Sequence, residues 1–213
     1  MAELAALRIG DPPDVWSSIG FVVEDGAVHV SGVRHELGGE KQGGGRSGRN
    51  AGIRDWSVRG LDPSVDAIDG LPLGLAVAPA RPTPDHPNGV VALDHVVLLT
   101  PNLGRTIESF ESVGIELRRV RDTGTDAEPR QQAFFKVGGV ILEVVGPKAP
   151  SGDGPLRFFG LAWTVAEAAH TSAFFGDRLK PFKDAVQPGR QIATLTSSAG
   201  STVPHAFMSA EPS

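Results

Sequence analysis

Two side chains in the second half of the chain have types and positions suited to chemistry. His95 lies in the run Val90-Val91-Ala92-Leu93-Asp94-His95-Val96-Val97-Leu98-Leu99, and Glu143 in Val140-Ile141-Leu142-Glu143-Val144-Val145. Both runs are rich in β-branched and aliphatic residues and read as largely buried strands. Alternation places His95 with Leu93, Val97 and Leu99, and Glu143 with Ile141 and Val145. A carboxylate in oily surroundings is costly unless it is paired or bound to a metal. A neutral imidazole and a carboxylate together suit a divalent ion such as Zn, Ni, Fe or Mn, with Glu143 also able to shuttle a proton. The competing reading of the two is a buried hydrogen-bonded pair. His205, in the run Thr202 to Met208, is a third candidate ligand. A register change of one residue would send it to the other face, and Pro204 beside it suggests an edge or a strand start. Its competing reading is a surface histidine.

The elements that must position these groups follow from the pattern around them. Thr100-Pro101 supplies a helix start, Leu103, Ile107 and Phe110 recur on one helical face, and Gly114 closes the helix. Strands are expected at 115–120, 132–137 and 140–145, with a hairpin turn at Gly138-Gly139. The unit is strand, helix, strand, strand, strand. It then repeats. A strand at 159–164 leads through a capping box, Thr164-Val165-Ala166-Glu167, into a helix reaching Phe175, and Gly176 ends it. Strands are expected at 185–186, 191–196 and 202–208. A fainter copy precedes both. Ser18 to Val23 echoes Ser112 to Leu117, Val30 to Leu37 echoes Val137 to Val144, and Ile53 to Val58, with Trp56, resembles the strand containing Trp163. Residues 38–50, rich in glycine, read as a loop; Lys41 precedes the glycines, so the spacing is not that of a phosphate-binding loop. Residues 79–88 read as a proline-rich connector. The organisation expected is a degenerate module at 1–78, the connector, and a domain at 89–213 made of modules 89–149 and 156–209.

The 213 residues are 40% hydrophobic and 21% charged, an ordinary globular composition. No cysteine is present, which removes disulfides, thiolate metal sites and a cysteine nucleophile, and is compatible with a cytoplasmic setting. A formal net charge of -5 gives no footprint for nucleic acid. Arg118, Arg119 and Arg121, followed by Asp122 and Asp126, read as a solvated strand end. Neither a signal peptide nor a membrane span is visible in the sequence.

Together, Leu93-Asp94-His95-Val96-Val97-Leu98, Val140-Ile141-Leu142-Glu143-Val144-Val145 and the strand order around them resemble the vicinal oxygen chelate superfamily: glyoxalase I, bleomycin-resistance proteins and extradiol dioxygenases. The resemblance implies an α+β fold in which paired βαβββ modules form a cupped mixed sheet with helices outside, here with a smaller degenerate N-terminal module of the same type. It implies a metal site, with ligands from the first and last strands of each module, and no organic cofactor. Carried onto this chain, the ligand set is His95, Glu143 and His205, with Glu143 as the catalytic residue. Aligning Thr100 with Thr164 puts Phe159 in the slot that His95 fills, so one ligand position is apolar. That departs from the dioxygenase arrangement and favours a lyase or isomerase acting on a small carbonyl- or hydroxyl-bearing metabolite. Two alternatives stand beside it: a binding protein of the bleomycin-resistance type without chemistry, and a degenerate member acting through protein contacts. Phe159 and Trp163 share a face by alternation and would wall a ligand pocket if that face lines the cup, or be core if it meets the helices. Arg190 could bind an anionic substrate, with an exposed strand end as the competing reading. The partner expected is a small molecule, with no nucleic acid and no membrane, and the protein a monomer or homodimer.

Overall fold

A computed structural model describes residues 1–38, 51–74 and 78–211. Apart from Gly38, the glycine-rich segment expected as a loop lies outside the described residues. The first unit contains β1 (Glu3–Ile9), α1 (Pro13–Ser18), β2 (Ala27–Val30), β3 (Val33–Leu37) and β4 (Ile53–Arg59), followed by a small hairpin of β5 (Ala67–Ile68) and β6 (Leu71–Pro72). Next come β7 (Val90–Leu99), α2 (Leu103–Ser112), β8 (Leu117–Gly124), β9 (Pro129–Val137) and β10 (Val140–Pro147). The chain continues with β11 (Arg157–Val165), α3 (Ala168–Phe175), β12 (Lys183–Asp184), β13 (Gln191–Thr194) and β14 (His205–Ser209).

Strands β7 to β14 form one mixed sheet in the order β12-β13-β14-β11-β7-β10-β9-β8. In each half the first strand pairs parallel with the last, and the two halves join through the antiparallel pair β7 and β11. These are two βαβββ modules side by side, the fold class expected. The first unit is the same device with a strand missing. Its order is β2-β3-β1-β4, β1 runs parallel to β3, and β4 lies antiparallel beside β1 as β11 does beside β7. The echoed segment at 21–23 forms no strand; Phe21 instead packs against Trp16 and Trp163, with ring centroids 4.9 Å from each.

Two helix starts differ from expectation. Asn102, not Thr100, caps α2, its side chain accepting from the Arg105 amide at 3.2 Å. A carboxamide is among the best caps; the Thr100 hydroxyl accepts instead from the Asn102 amide and from Thr106. The capping box at Thr164 does not form, because Thr164 is still in β11 and Glu167 takes the cap position of α3.

One face of the large sheet carries Val96, Leu98, Ala133, Phe135, Leu142 and Val144, all buried. There α2 packs, Phe110 lying 4.6 Å from the Phe135 ring. The N-terminal sheet covers the same face: Trp16, Phe21 and His35 surround Trp163, and Trp56 meets Phe110 and Phe158. All three layers share one continuous hydrophobic core. The opposite face of the large sheet meets neither α2 nor the N-terminal sheet. The connector is tied to the first unit, with the Arg81 amide donating to His29 Nδ1 at 3.2 Å and the Val22 amide to His86 Nδ1 at 3.0 Å. Among the described residues no helix is long and apolar enough to cross a membrane.

Candidate functional site

His95 alternates with the buried Val96 and Leu98 and so points to the face away from the core, where it is itself only 4% exposed; beside it β7 carries a bulge. Against β11, Ala162 pairs with His95 and Trp163 with Leu93, so Asp94 is an extra residue. An extra residue breaks the alternation. Leu93 therefore stays in the core with Trp163, both buried, and not with His95 as alternation implied. Asp94 and His95 become neighbours in space, with Oδ1 2.6 Å from Nδ1. Asp94 Oδ2 accepts from Thr164 Oγ1 at 2.7 Å and from Arg190 Nη2 at 2.5 Å, and Arg190 Nε donates to the Ser209 carbonyl at 2.8 Å. Arg190 is thus buried at 5% exposure, not a solvated strand end. Burial would raise the Asp94 carboxyl, but hydrogen bonds from His95, Arg190 and Thr164 hold it well below the usual carboxylate range. An ionised carboxylate on Nδ1 fixes the imidazole tautomer and leaves the lone pair on Nε2. No described residue hydrogen-bonds that nitrogen.

Glu143 lies on the same face. In the parallel pair β7 and β10, Ile141 is opposite His95, so Glu143 is two residues further along the adjacent strand. Its Oε1 accepts from Gln132 Nε2 at 2.5 Å, and Gln132 Oε1 accepts from Arg121 Nε at 2.9 Å. Phe134, opposite Glu143 on β9, has its ring 6.4 Å from the His95 ring. Burial pushes the Glu143 carboxyl up, with His95, Arg121 and the Gln132 hydrogen bond opposing in part. The site is an imidazole oriented by an ionised acid, beside a second acid whose proton is held more firmly than usual.

Three residues nominated from sequence lie elsewhere. His205 is opposite Leu161 and Ala206 opposite Ala162, while His95 is opposite that same Ala162. His205 therefore projects to the face opposite His95, the outcome that a register change of one residue would give. There it is buried, not a surface histidine, and both ring nitrogens are used. Nδ1 accepts from Trp163 Nε1 at 2.9 Å, so Nε2 carries the proton and donates to Ser201 Oγ at 2.9 Å. Ser201 Oγ donates to Asp11 Oδ2 at 2.6 Å, and the Thr202 amide donates to Asp11 Oδ1 at 3.0 Å. This chain clasps the N-terminal unit to the second module. Trp163 belongs to the same buried layer and lines no cup. Phe159 is separated from it by a second bulge, where Phe158 pairs with Leu98 and Gly160 with Val97; its side chain is 48% exposed.

The donors fit a metal poorly. His95 Nδ1 is taken by Asp94, both Asp94 oxygens are engaged, and His205 is across the sheet. Only His95 Nε2 and Glu143 remain, and among the described residues no group of three histidine or acidic side chains is placed to hold an ion. A catalytic centre commonly takes three protein ligands.

Asp94 and Arg190 are the site residues that alternation missed as a pair. The signal was present in the sequence: Asp94-His95 puts two polar residues in succession within an otherwise apolar strand, which regular alternation cannot bury on one face.

No protein-family model matches the chain, and no curated protein does either. Among solved structures, a methylmalonyl-CoA epimerase from Mycobacterium tuberculosis is 17% identical, with 58% of this chain and 91% of that chain covered and a TM-score of 0.45. A Streptomyces coelicolor methylmalonyl-CoA epimerase in complex with 2-nitronate-propionyl-CoA is 15% identical, over 57% of this chain and 96% of its own, also with a TM-score of 0.45. A hypothetical protein from Bacillus halodurans is 14% identical, over 57% and 95%, with a TM-score of 0.43. None of these likenesses bears on what this chain does; the paired modules rest on the strand order itself.

Proposed function

We propose that the protein is a glyoxalase-like enzyme of the lyase or isomerase kind, moving a proton at a carbon beside a carbonyl of a small metabolite. The observation that carries the proposal is the Asp94–His95 pair on the same face as Glu143. His95 Nε2 takes the proton from carbon. Asp94 holds Nδ1–H and balances the imidazolium that results, while Arg190 keeps Asp94 ionised. Glu143, raised by burial, gives its proton to the carbonyl oxygen as the enol forms. Return of the proton to either face or another carbon completes isomerisation. Each step uses only the chain's own residues. A cytoplasmic location and a monomeric or homodimeric state are part of the same proposal.

The test is solvent-deuterium exchange into a panel of 2-oxo and 2-hydroxycarbonyl compounds, followed by proton NMR, before and after chelator treatment. Exchange lowered by about 100-fold or more in His95→Ala and Glu143→Gln is the expected result. Absence of exchange across the panel, or exchange untouched by both substitutions, refutes it. A second reading, a binding protein without chemistry, is favoured by the engagement of both Asp94 oxygens within the chain. It predicts thermal stabilisation by ligand with no exchange.

A further inference from the structure

The wall beside the acid–base pair is strongly basic, which the sequence did not suggest. Residues opposite one another in a ladder project to the same face. Lys136 is opposite Ile141, which is opposite His95; Arg119 is opposite Phe134, which is opposite Glu143. Arg121 is opposite Gln132, which is opposite Val145, and Arg130 is opposite Pro147. The Arg121 guanidinium lies 5.6 Å above the Phe134 ring, next to His95, which confirms the facing. Four cations thus share the His95 face, and Glu143 is the one acid that β8, β9 and β10 place there. This occurs in a chain of net charge -5. Asp122, on the other face of β8, is paired with Lys148 at 3.3 Å. Arg119 and Lys136 make no ion pair among the described residues, and Arg130 meets only Glu128, at 3.6 Å.

The same face runs into a cavity of about 690 Å³ whose lining includes Leu99, Val145, Arg130 and Arg157, with Glu128, the exposed partner of Arg130, as the acid among its lining residues. Leu99 and Val145 continue the rows that begin with His95 and Glu143, and Arg157 is opposite Leu99. The volume lies within the ordinary range for small-molecule sites. From His95 to Leu99 along the strand is about 13 Å at the usual rise.

We propose that the ligand carries an anionic oxygen group, a carboxylate or a phosphate, seated in this cavity against Arg130 and Arg157. This rests on the acid–base reading for the position of the ligand's carbonyl end. An oxyanion is the ligand for which guanidinium forks are best suited, each charge-assisted contact being about twice as strong as a neutral one. The anion anchors the molecule so that the carbonyl reaches His95 and Glu143. Arg119 and Lys136 add attraction over the open face.

Two matched probe pairs test this by titration calorimetry: 2-oxoglutarate against its dimethyl ester, and dihydroxyacetone phosphate against dihydroxyacetone. The charged member of at least one pair is expected to bind about tenfold tighter at about 20 mM salt, with the preference largely screened at about 500 mM. Which pair responds separates carboxylate from phosphate. Arg130 and Arg157 are exposed, so the double variant Arg130→Gln/Arg157→Gln should fold and lose the preference. Lys183→Gln, on β12 at the far edge of the sheet, should keep it. Failure of both charged probes to bind, equal binding within both pairs, or a preference that survives the double substitution overturns the proposal. Proton exchange, measured beside binding, separates the two readings. Anion preference with no proton exchange even in the unsubstituted protein sinks the acid–base reading and leaves the anion site standing.

Discussion

Acidification should loosen the protein between its two sheets. His35 and His205 are buried in that layer among Trp16, Phe21 and Trp163. Burial lowers His35 to about 3 and His205 to about 4, so both are neutral in the folded chain near neutrality. In the unfolded chain each titrates near 6.5. The unfolded state therefore takes up these protons first. Stability is complete above about pH 6.5 and falls as pH drops from there towards the folded values. Each histidine costs about 1.4 kcal/mol per pH unit in that window, so the pair costs about 4 kcal/mol at pH 5. That is a large share of the roughly 5–15 kcal/mol that holds an ordinary domain folded. Burial lowers His29 and His86 as well, which adds in the same direction. Asp94, held low, acts only below the ordinary carboxylate range, while Glu143, raised by burial, opposes the histidines in part by gaining stability as pH falls. Urea unfolding followed by tryptophan fluorescence at pH 7.5 and 5.0 measures the effect, since Trp16 and Trp163 flank the histidines. His35→Phe should remove about half of the pair's share of the pH dependence; it relieves Nε2, which is buried without a partner, and gives up the hydrogen bond that Nδ1 donates to the Val28 carbonyl at 3.3 Å. Coincident urea curves at the two pH values, or an undiminished pH dependence in the double variant His35→Phe/His205→Phe, would refute the reasoning.

Three further outcomes follow from the site. Asp94→Asn strands the Arg190 guanidinium, 5% exposed, and should cost about 3 kcal/mol in urea unfolding besides abolishing proton exchange. Burial raises the Glu143 carboxyl, so ionising it costs stability as pH rises through the folded value. Glu143→Gln should therefore raise the melting temperature at neutral pH while removing exchange, and a lower melting temperature would count against a strained acid. Phe159→Ser, at a side chain 48% exposed, should change stability by no more than about 0.5 kcal/mol and leave exchange intact; a larger loss would restore Phe159 to the pocket.

The paired modules were legible because their signals are local: hydrophobic runs, glycine at helix ends, and an order of elements that repeats. His95 and Glu143 share a face, as the resemblance implied, and nothing interrupts β7 between His95 and Leu99 or β10 across Glu143. Where a bulge intervenes, counting by twos fails. Asp94 displaced Leu93 from the row of His95, and the break at Phe159 separated it from Trp163. His205 depended on register, which the weak turn signals before β14 left open. The burial of Trp163 and His205 depended on the N-terminal sheet lying over them, a contact between distant segments that no local pattern encodes. The basic wall was hidden for a related reason. Arg119 and Arg121 belong to β8 and Arg130 and Lys136 to β9, and only the pairing of β8, β9 and β10 brings both pairs to the face of His95.

The clasp from Asp11 to Ser201 and Thr202 has a consequence for synthesis. The strands of the first sheet leave the ribosome early, yet Trp16, Phe21 and His35 have no Trp163 or His205 to cover them until β11 and β14 have been made. At ordinary translation rates the wait is on the order of ten seconds, long compared with collapse of a short chain. Through that interval an oily, histidine-bearing surface stands open on the nascent polypeptide. This sheet is made before the strands that seal it and is among the last parts of the fold to be closed.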